Sequence, residues 1–253
     1  MRTAATRTAA LIGALVVWAA FTSVNARLGW VNPVLLPTPV DVGRATLDLL
    51  RNGELIRHLL TSLARVAEGF GLAALTALGL GLLVGLCVPL RLVAEPVIEF
   101  VRPIPPLAFL PMFLVWFGLG EASKIAFIGY TTFFPMFVAI AASVLRVDVV
   151  LLRAAASLGA SRADLVRRVI LPAALPGIVV ALRLGIGLAL FVIVGAEFMG
   201  ADAGLGHLIM EGRVFFNPAQ IVMGALVLGL LGSLLNALLL TAERRMLGWR
   251  LPS

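Results

Sequence analysis

The chain is poor in almost everything a soluble domain places on its surface. Among 253 residues it has two histidines, one cysteine, one tyrosine and, in Lys124, one lysine, and charged residues make up 13% of the whole. Soluble domains carry about 25%, so most of this chain has no solvated face to offer. The lone Cys87 excludes an internal disulfide and any CxxC redox or metal pair. His58 and His207 stand far apart in the sequence without cysteine neighbours, which leaves no metal-ligand spacing. A phosphate-cradling GxxxxGKS or GxxxxGKT loop is missing, as are HExxH and GxSxG, so the chain is not expected to bind ATP by a P-loop or to be an enzyme. No metal or cofactor is expected. Gly118 and Lys124 do not have P-loop spacing, and the segment between them reads as a turn.

What the chain has is apolar sequence. Apolar residues account for 61% of it and the mean hydropathy is +1.07. Crossing a bilayer takes roughly 17–25 largely uncharged residues. Runs of that kind predict an all-α membrane protein, one domain over 1–253, with about six spans at 8–24, 69–90, 103–120, 125–145, 176–199 and 218–242. A β-barrel would show weak alternation in segments of about ten residues instead. The first run, preceded by Arg2 and Arg7, has the look of a signal peptide, but five further spans favour an uncleaved signal-anchor. The formal net charge of +7 raises nucleic-acid binding, yet the arginines lie in short clusters between apolar runs and read as topology signals.

Those arginines orient the chain. With a cytoplasmic N-terminus, the inside segments hold Arg2, Arg7, Arg91, Arg102, Arg146, Arg153, Arg162, Arg167, Arg168, Arg244, Arg245 and Arg250, and both termini are cytoplasmic. The short outside loops then hold Lys124 and Arg213, as the positive-inside rule requires. Segment 25–68 would be outside despite five arginines, which Asp41, Asp48, Glu54 and Glu68 offset. Within it, 41–51 and 54–68 predict amphipathic helices on the outer surface or leading into the second span. Trp18, Trp30, Trp116 and Trp249 fall near span ends or in flanking segments, as interfacial anchors do.

The longest hydrophilic stretch on the inside is 146–176. Its Ala- and Leu-rich first part predicts a helix ended by Gly159, and Ser161 with Asp164 predicts a capping box opening a second helix. On that second helix Leu165, Val166, Val169 and Ile170 share a face, and Pro172 and Pro176 are expected to break it. The outcome is a helix–turn–helix knob suited to docking on a soluble partner; the plainer alternative is a basic loop against lipid headgroups. Arg153-Ala154-Ala155, Gly159 and Val169-Ile170-Leu171-Pro172 resemble the EAA loop of binding-protein-dependent ABC importer permeases. The Ala pair, the glycine, the nine-residue gap, the leucine and the proline match, whereas Arg153 replaces Glu and Val169 replaces Ile.

The resemblance extends along most of the chain. Leu35-Leu36-Pro37-Thr38-Pro39, Ser62-Leu63-Ala64-Arg65-Val66, Arg102-Pro103-Ile104-Pro105-Pro106, Trp116-Phe117-Gly118-Leu119-Gly120, Ala196-Glu197 and Gly204-Leu205-Gly206 are similar to the nitrate/sulfonate/taurine branch. It implies a type I importer permease with a MetI-like fold in the bacterial inner membrane. The partners it implies are a second permease copy, two ATPase subunits and an external binding protein, with no nucleic acid. It places coupling to the ATPase at Arg153, Ala154, Ala155, Gly159, Ser161, Asp164, Leu165, Leu171 and Pro172, and it makes a small, anionic solute the expected cargo. A secondary transporter is the alternative, but it would want ionisable relays in several spans.

Charges inside the bilayer mark the other candidates, since each costs about 2.5–3.5 kcal/mol at mid-membrane on insertion scales. Arg183 and Glu197 lie on similar faces of the fifth span, roughly 21 Å apart, too far to pair with each other. They are candidates for a pore-lining stripe or for polar contacts between helices. Arg102 before Pro103, Pro105 and Pro106 marks an irregular start to the third span, which is tolerated where backbone lines a cavity. The expected substrate path therefore holds Arg102, Pro105, Arg183 and Glu197. Gly81 and Gly85 form a GxxxG pair read as helix packing.

Overall fold

Several helices in this chain start where a proline or a short polar side chain meets the first turn. Thr38 opens the helix at Pro39 with a complete capping box, its hydroxyl accepting from the Asp41 amide while the Asp41 carboxylate accepts from the Thr38 amide. The computed structural model describes residues 2–246, and every regular element among them is helical. In chain order these are α1 (Arg2–Leu28), α2 (Pro39–Arg51), α3 (Glu54–Leu86), α4 (Val88–Val101), α5 (Pro106–Phe117), α6 (Glu121–Leu145), α7 (Val149–Ser157), α8 (Arg162–Glu197), α9 (Leu205–Val214) and α10 (Pro218–Met246). Trp249 and Arg250 lie outside the described residues.

Among the described residues, four helices are long and apolar enough to cross a bilayer: α3, α6, α8 and α10. A fifth crossing exists if α4 and α5 count as one span bent by 98°, and Ile12–Leu28 is a shorter apolar helix. Against the expected six spans, the described residues give four unbroken ones and a fifth if the bent pair is one crossing, while the expected first span is a shorter apolar helix. Three differences have clear causes. The predicted amphipathic helix 54–68 and the second span form one helix, α3, because nothing between Glu54 and Leu86 breaks it. The third span is short and follows a sharp bend, because Pro103, Pro105 and Pro106 remove successive amide donors. Pro172 and Pro176 do not break α8, whose 36 residues run through both. A π-helical turn over Leu165–Ile170 absorbs the first of them: the Leu171 amide bonds back to the Val166 carbonyl, one residue further than in an α-helix.

The chain divides into two compact units. In the first, residues 1–62 and 202–230, His58 and Ser62 stand one turn apart on α3 and receive the N-terminus of α9. Within the same unit Gly224 of α10 lets Ile209 approach closely.

The second unit, residues 63–201 and 231–253, is built on α6. Association of helices in lipid gains little from the hydrophobic effect and depends on close packing, which small residues permit. Gly69, Gly81 and Gly85 of α3 face Ile128, Ile140 and Val144 of α6; a Cβ added at them would stand 2.8, 2.9 and 2.7 Å from those side chains. Gly177 and Gly185 of α8 make room in the same way for Ser143 and Met136. Ala73, Ala77, Met136, Phe137, Ile140, Ala174, Ile178 and Ala181 complete this core. Thus α6 is clasped by glycine and alanine seams on α3 and α8.

Candidate coupling knob, membrane cleft and buried ion cluster

The knob begins at Asp148, whose carboxylate caps α7 by accepting from the Val150 amide at 2.8 Å. At the other end Gly159 takes φ +82°, a left-handed value that suits glycine. The Ala160 amide bonds to the Ala155 carbonyl at 3.1 Å and the Gly159 amide to Ala156 at 3.0 Å, the bond pair of a Schellman motif. The Ser161 hydroxyl then accepts from the Asp164 amide at 3.2 Å and opens α8. Asp164 also holds Arg168 at 3.2 Å. Leu152, Ala155, Leu165, Val166 and Ile170 are half-buried, while Val150, Arg153, Ala154, Ser157 and Leu158 are exposed. Helical spacing puts those last five on one outward face of α7, with Leu158 88% exposed. Leu171 is half-buried and Pro172 exposed where the π turn gives way to regular helix. The nine candidate coupling residues therefore lie within one compact reversal of the chain.

A cleft of 740 Å³ opens in the second unit among α4, α5, α6 and α8. Arg102 and Arg146 line it together with Tyr130, Thr131 and Ser143, and Phe134, Val138, Val180 and Leu184 form apolar wall. Neither arginine has a carboxylate partner within ion-pair distance among the described residues. The other three candidate path residues are placed elsewhere. Pro105 caps α5, exposed, beside the cleft wall. Arg183 pairs with Glu243 of α10 at 3.0 Å. Glu197, with its side chain fully buried, accepts from Arg65 of α3 at 2.7 Å.

Arg65 is the centre of a cluster that joins three helices. Its guanidinium grips Glu121, at the start of α6, with two bonds of 2.5 and 2.6 Å, and Glu197, at the end of α8, with a third. Such forked geometry is what makes arginine suited to buried carboxylates. Lys124, expected as a loop charge, is buried; its ammonium caps the Leu119 and Gly120 carbonyls at 2.8 and 3.1 Å. The cluster was not visible as a pairing in the sequence, since its members lie 56 and 132 positions apart.

Far apart in sequence, the rings of His58 and His207 stack at 5.7 Å. His58 Nδ1 accepts the Gly204 amide at 2.8 Å and Ser62 Oγ accepts the Leu205 amide at 2.8 Å, satisfying two donors at the start of α9. A backbone amide only donates, so His58 Nδ1 acts here as an acceptor. No group of three or more metal-ligating side chains occurs among the described residues.

The described residues thus form a helical membrane body that carries an exposed two-helix knob. The chain belongs to the family of binding-protein-dependent transport system inner membrane components, whose model matches residues 77–247. It is 36% identical to the putative aliphatic sulfonates transport permease protein SsuC of Bacillus subtilis, over 88% of this chain and 81% of that one. It is 37% identical to the taurine transport system permease protein TauC of Escherichia coli, over 88% of this chain and 83% of that one. Among solved structures, that of an amino acid ABC transporter with histidines superposes with a TM-score of 0.66 at 24% identity, covering 79% of this chain and 97% of the other. The chain is thus an inner-membrane, multi-pass ABC importer permease, not itself an enzyme, of a family that works with separate ATPase subunits and a binding protein.

Proposed function

We propose that two copies of this chain form the passage for a small oxyanion such as a sulfonate, taurine or nitrate. Delivery is by an external binding protein, and both termini lie on the cytoplasmic side. The relatives named for aliphatic sulfonates, taurine and nitrate support the cargo class. Two arginines in a cleft with an apolar wall suit an anionic head on a short carbon chain. Arg102 and Arg146 are the contacts we assign to the oxyanion, and the Tyr130 hydroxyl is a neutral donor beside them. Arg183 and Glu197 hold helices together instead, each through its ion pair.

The knob of α7 and the first turns of α8 couples this passage to ATP hydrolysis. The observation that carries the reading is the closed reversal at Gly159: a stiff projection continuous, through α8, with the helix that packs on α6. A push on the knob is transmitted along α8 and moves it against the α6 seam. Nothing lies within 4 Å of a Cβ built at Gly159, so a side chain there disturbs only the backbone conformation. Gly159→Val forces a β-branched residue into the left-handed region at roughly 1–2 kcal/mol and distorts the knob. Reconstituted with the ATPase and binding protein, this variant inserts normally but loses ATP-dependent uptake. Uptake at the wild-type rate would refute the coupling role.

A further inference from the structure

The outward face of α7 mixes two kinds of side chain that usually occupy separate faces. Val150 and Leu158 are exposed there, and Arg153 projects from the same stripe. Arg162 and Arg167 are exposed on the first turns of α8. Segment 146–176 holds five arginines against two aspartates, Asp148 and Asp164. Both aspartates are occupied: Asp148 caps α7, and Asp164 serves Ser161 and Arg168. Arg153, Arg162 and Arg167 have no carboxylate within ion-pair distance among the described residues.

We infer that the groove receiving this knob has an apolar floor and a rim of carboxylates, one of them meeting Arg153. Arg153 thereby selects an ATPase whose groove is acidic at that point. The inference rests on the coupling reading above and adds the chemistry of the partner. Arg153 stands where the related motif has Glu, so a groove that suits the usual motif would set like charges, or an unsatisfied charge, against this chain. A lipid surface fits less well. An interfacial helix separates its apolar from its basic face, whereas here Arg153 shares one exposed stripe with Val150 and Leu158, and the other two guanidiniums belong to a second helix folded back on the first.

The test uses the full permease in lipid nanodiscs with its co-expressed ATPase subunit, measuring association at several salt concentrations. Arg153→Glu weakens association at least about tenfold and flattens its salt dependence, because a close interfacial charge pair becomes a repulsion. Arg153→Lys stays within about threefold of wild type, and an acid-to-arginine reversal in the groove restores Arg153→Glu. Leu158→Asp, which strikes the apolar floor contact, abolishes association whatever the rim contains. If Arg153→Glu binds like wild type while Leu158→Asp does not bind, the acidic rim is wrong and the coupling reading stands. If both bind like wild type, the coupling reading itself falls and the rim with it. If Arg153→Glu leaves ATPase association intact and instead loses binding to vesicles containing anionic phospholipid, the knob's charge serves the membrane and the inference is overturned.

Discussion

Replacing Arg65 by glutamine removes a side chain that ties α3 to the start of α6 and the end of α8. Its two carboxylate partners are unequal. Glu121 is 57% exposed and keeps Lys124 at 3.9 Å, so water and a second cation compensate for the loss; an exposed pair of this kind contributes about 0–1 kcal/mol. Glu197 is fully buried, and a buried carboxylate stripped of its guanidinium costs about 3–5 kcal/mol. Arg65→Gln is therefore expected to destabilise by about 3–5 kcal/mol, Glu121→Gln by at most about 1 kcal/mol, and Arg65→Gln with Glu197→Gln by clearly less than Arg65→Gln alone. Denaturant titration in mild detergent, followed by the four tryptophans, reads all three. Equal losses for Arg65→Gln and Glu121→Gln would refute the division of labour. So would a double variant as unstable as the sum of its parts.

Gly69→Ala should destabilise by about 1–3 kcal/mol, because its Cβ would meet Ile128 at 2.8 Å and the Ile125 carbonyl at 2.9 Å, and neither a β-branched side chain nor backbone yields easily. Gly79→Ala, on the same helix with open space beside it, should be neutral or stabilising in the same unfolding assay. His58→Phe leaves the buried Gly204 amide without its acceptor and should cost about 1–3 kcal/mol, seen as faster hydrogen exchange at the start of α9; unchanged exchange would disprove the capping role.

How much of this was legible in the sequence depended on whether the controlling interaction was local. The knob was readable because Gly159, Ser161 and Asp164 act within a few residues of themselves. The π turn was not, since it comes from the demand of Pro172 on carbonyls one turn earlier inside a helix otherwise strong enough to continue. The GxxxG pair was read as packing, and Gly69, Ala73, Ala77, Gly81 and Gly85 do recur every fourth residue along one face of α3. Extending that face backward through Ser62 and His58, with Arg65 close beside it, gives a polar continuation of the same stripe, which signalled buried partners without naming them. The partners themselves, Glu121, Glu197, Gly204 and Leu205, came from tertiary structure alone. Arg183 and Glu197, too far apart along one helix to pair with each other, each pair with a different helix.

The central claim is that the α7 knob meets the ATPase from the cytoplasmic side. Leu158→Cys in a Cys87→Ser background gives one thiol at a highly exposed position of that knob. A bifunctional maleimide reagent added to inside-out membrane vesicles should join it to the ATPase subunit, while a membrane-impermeant maleimide added to intact cells should leave it unlabelled. Labelling from outside, or no cross-link to an ATPase that is present, would contradict the account.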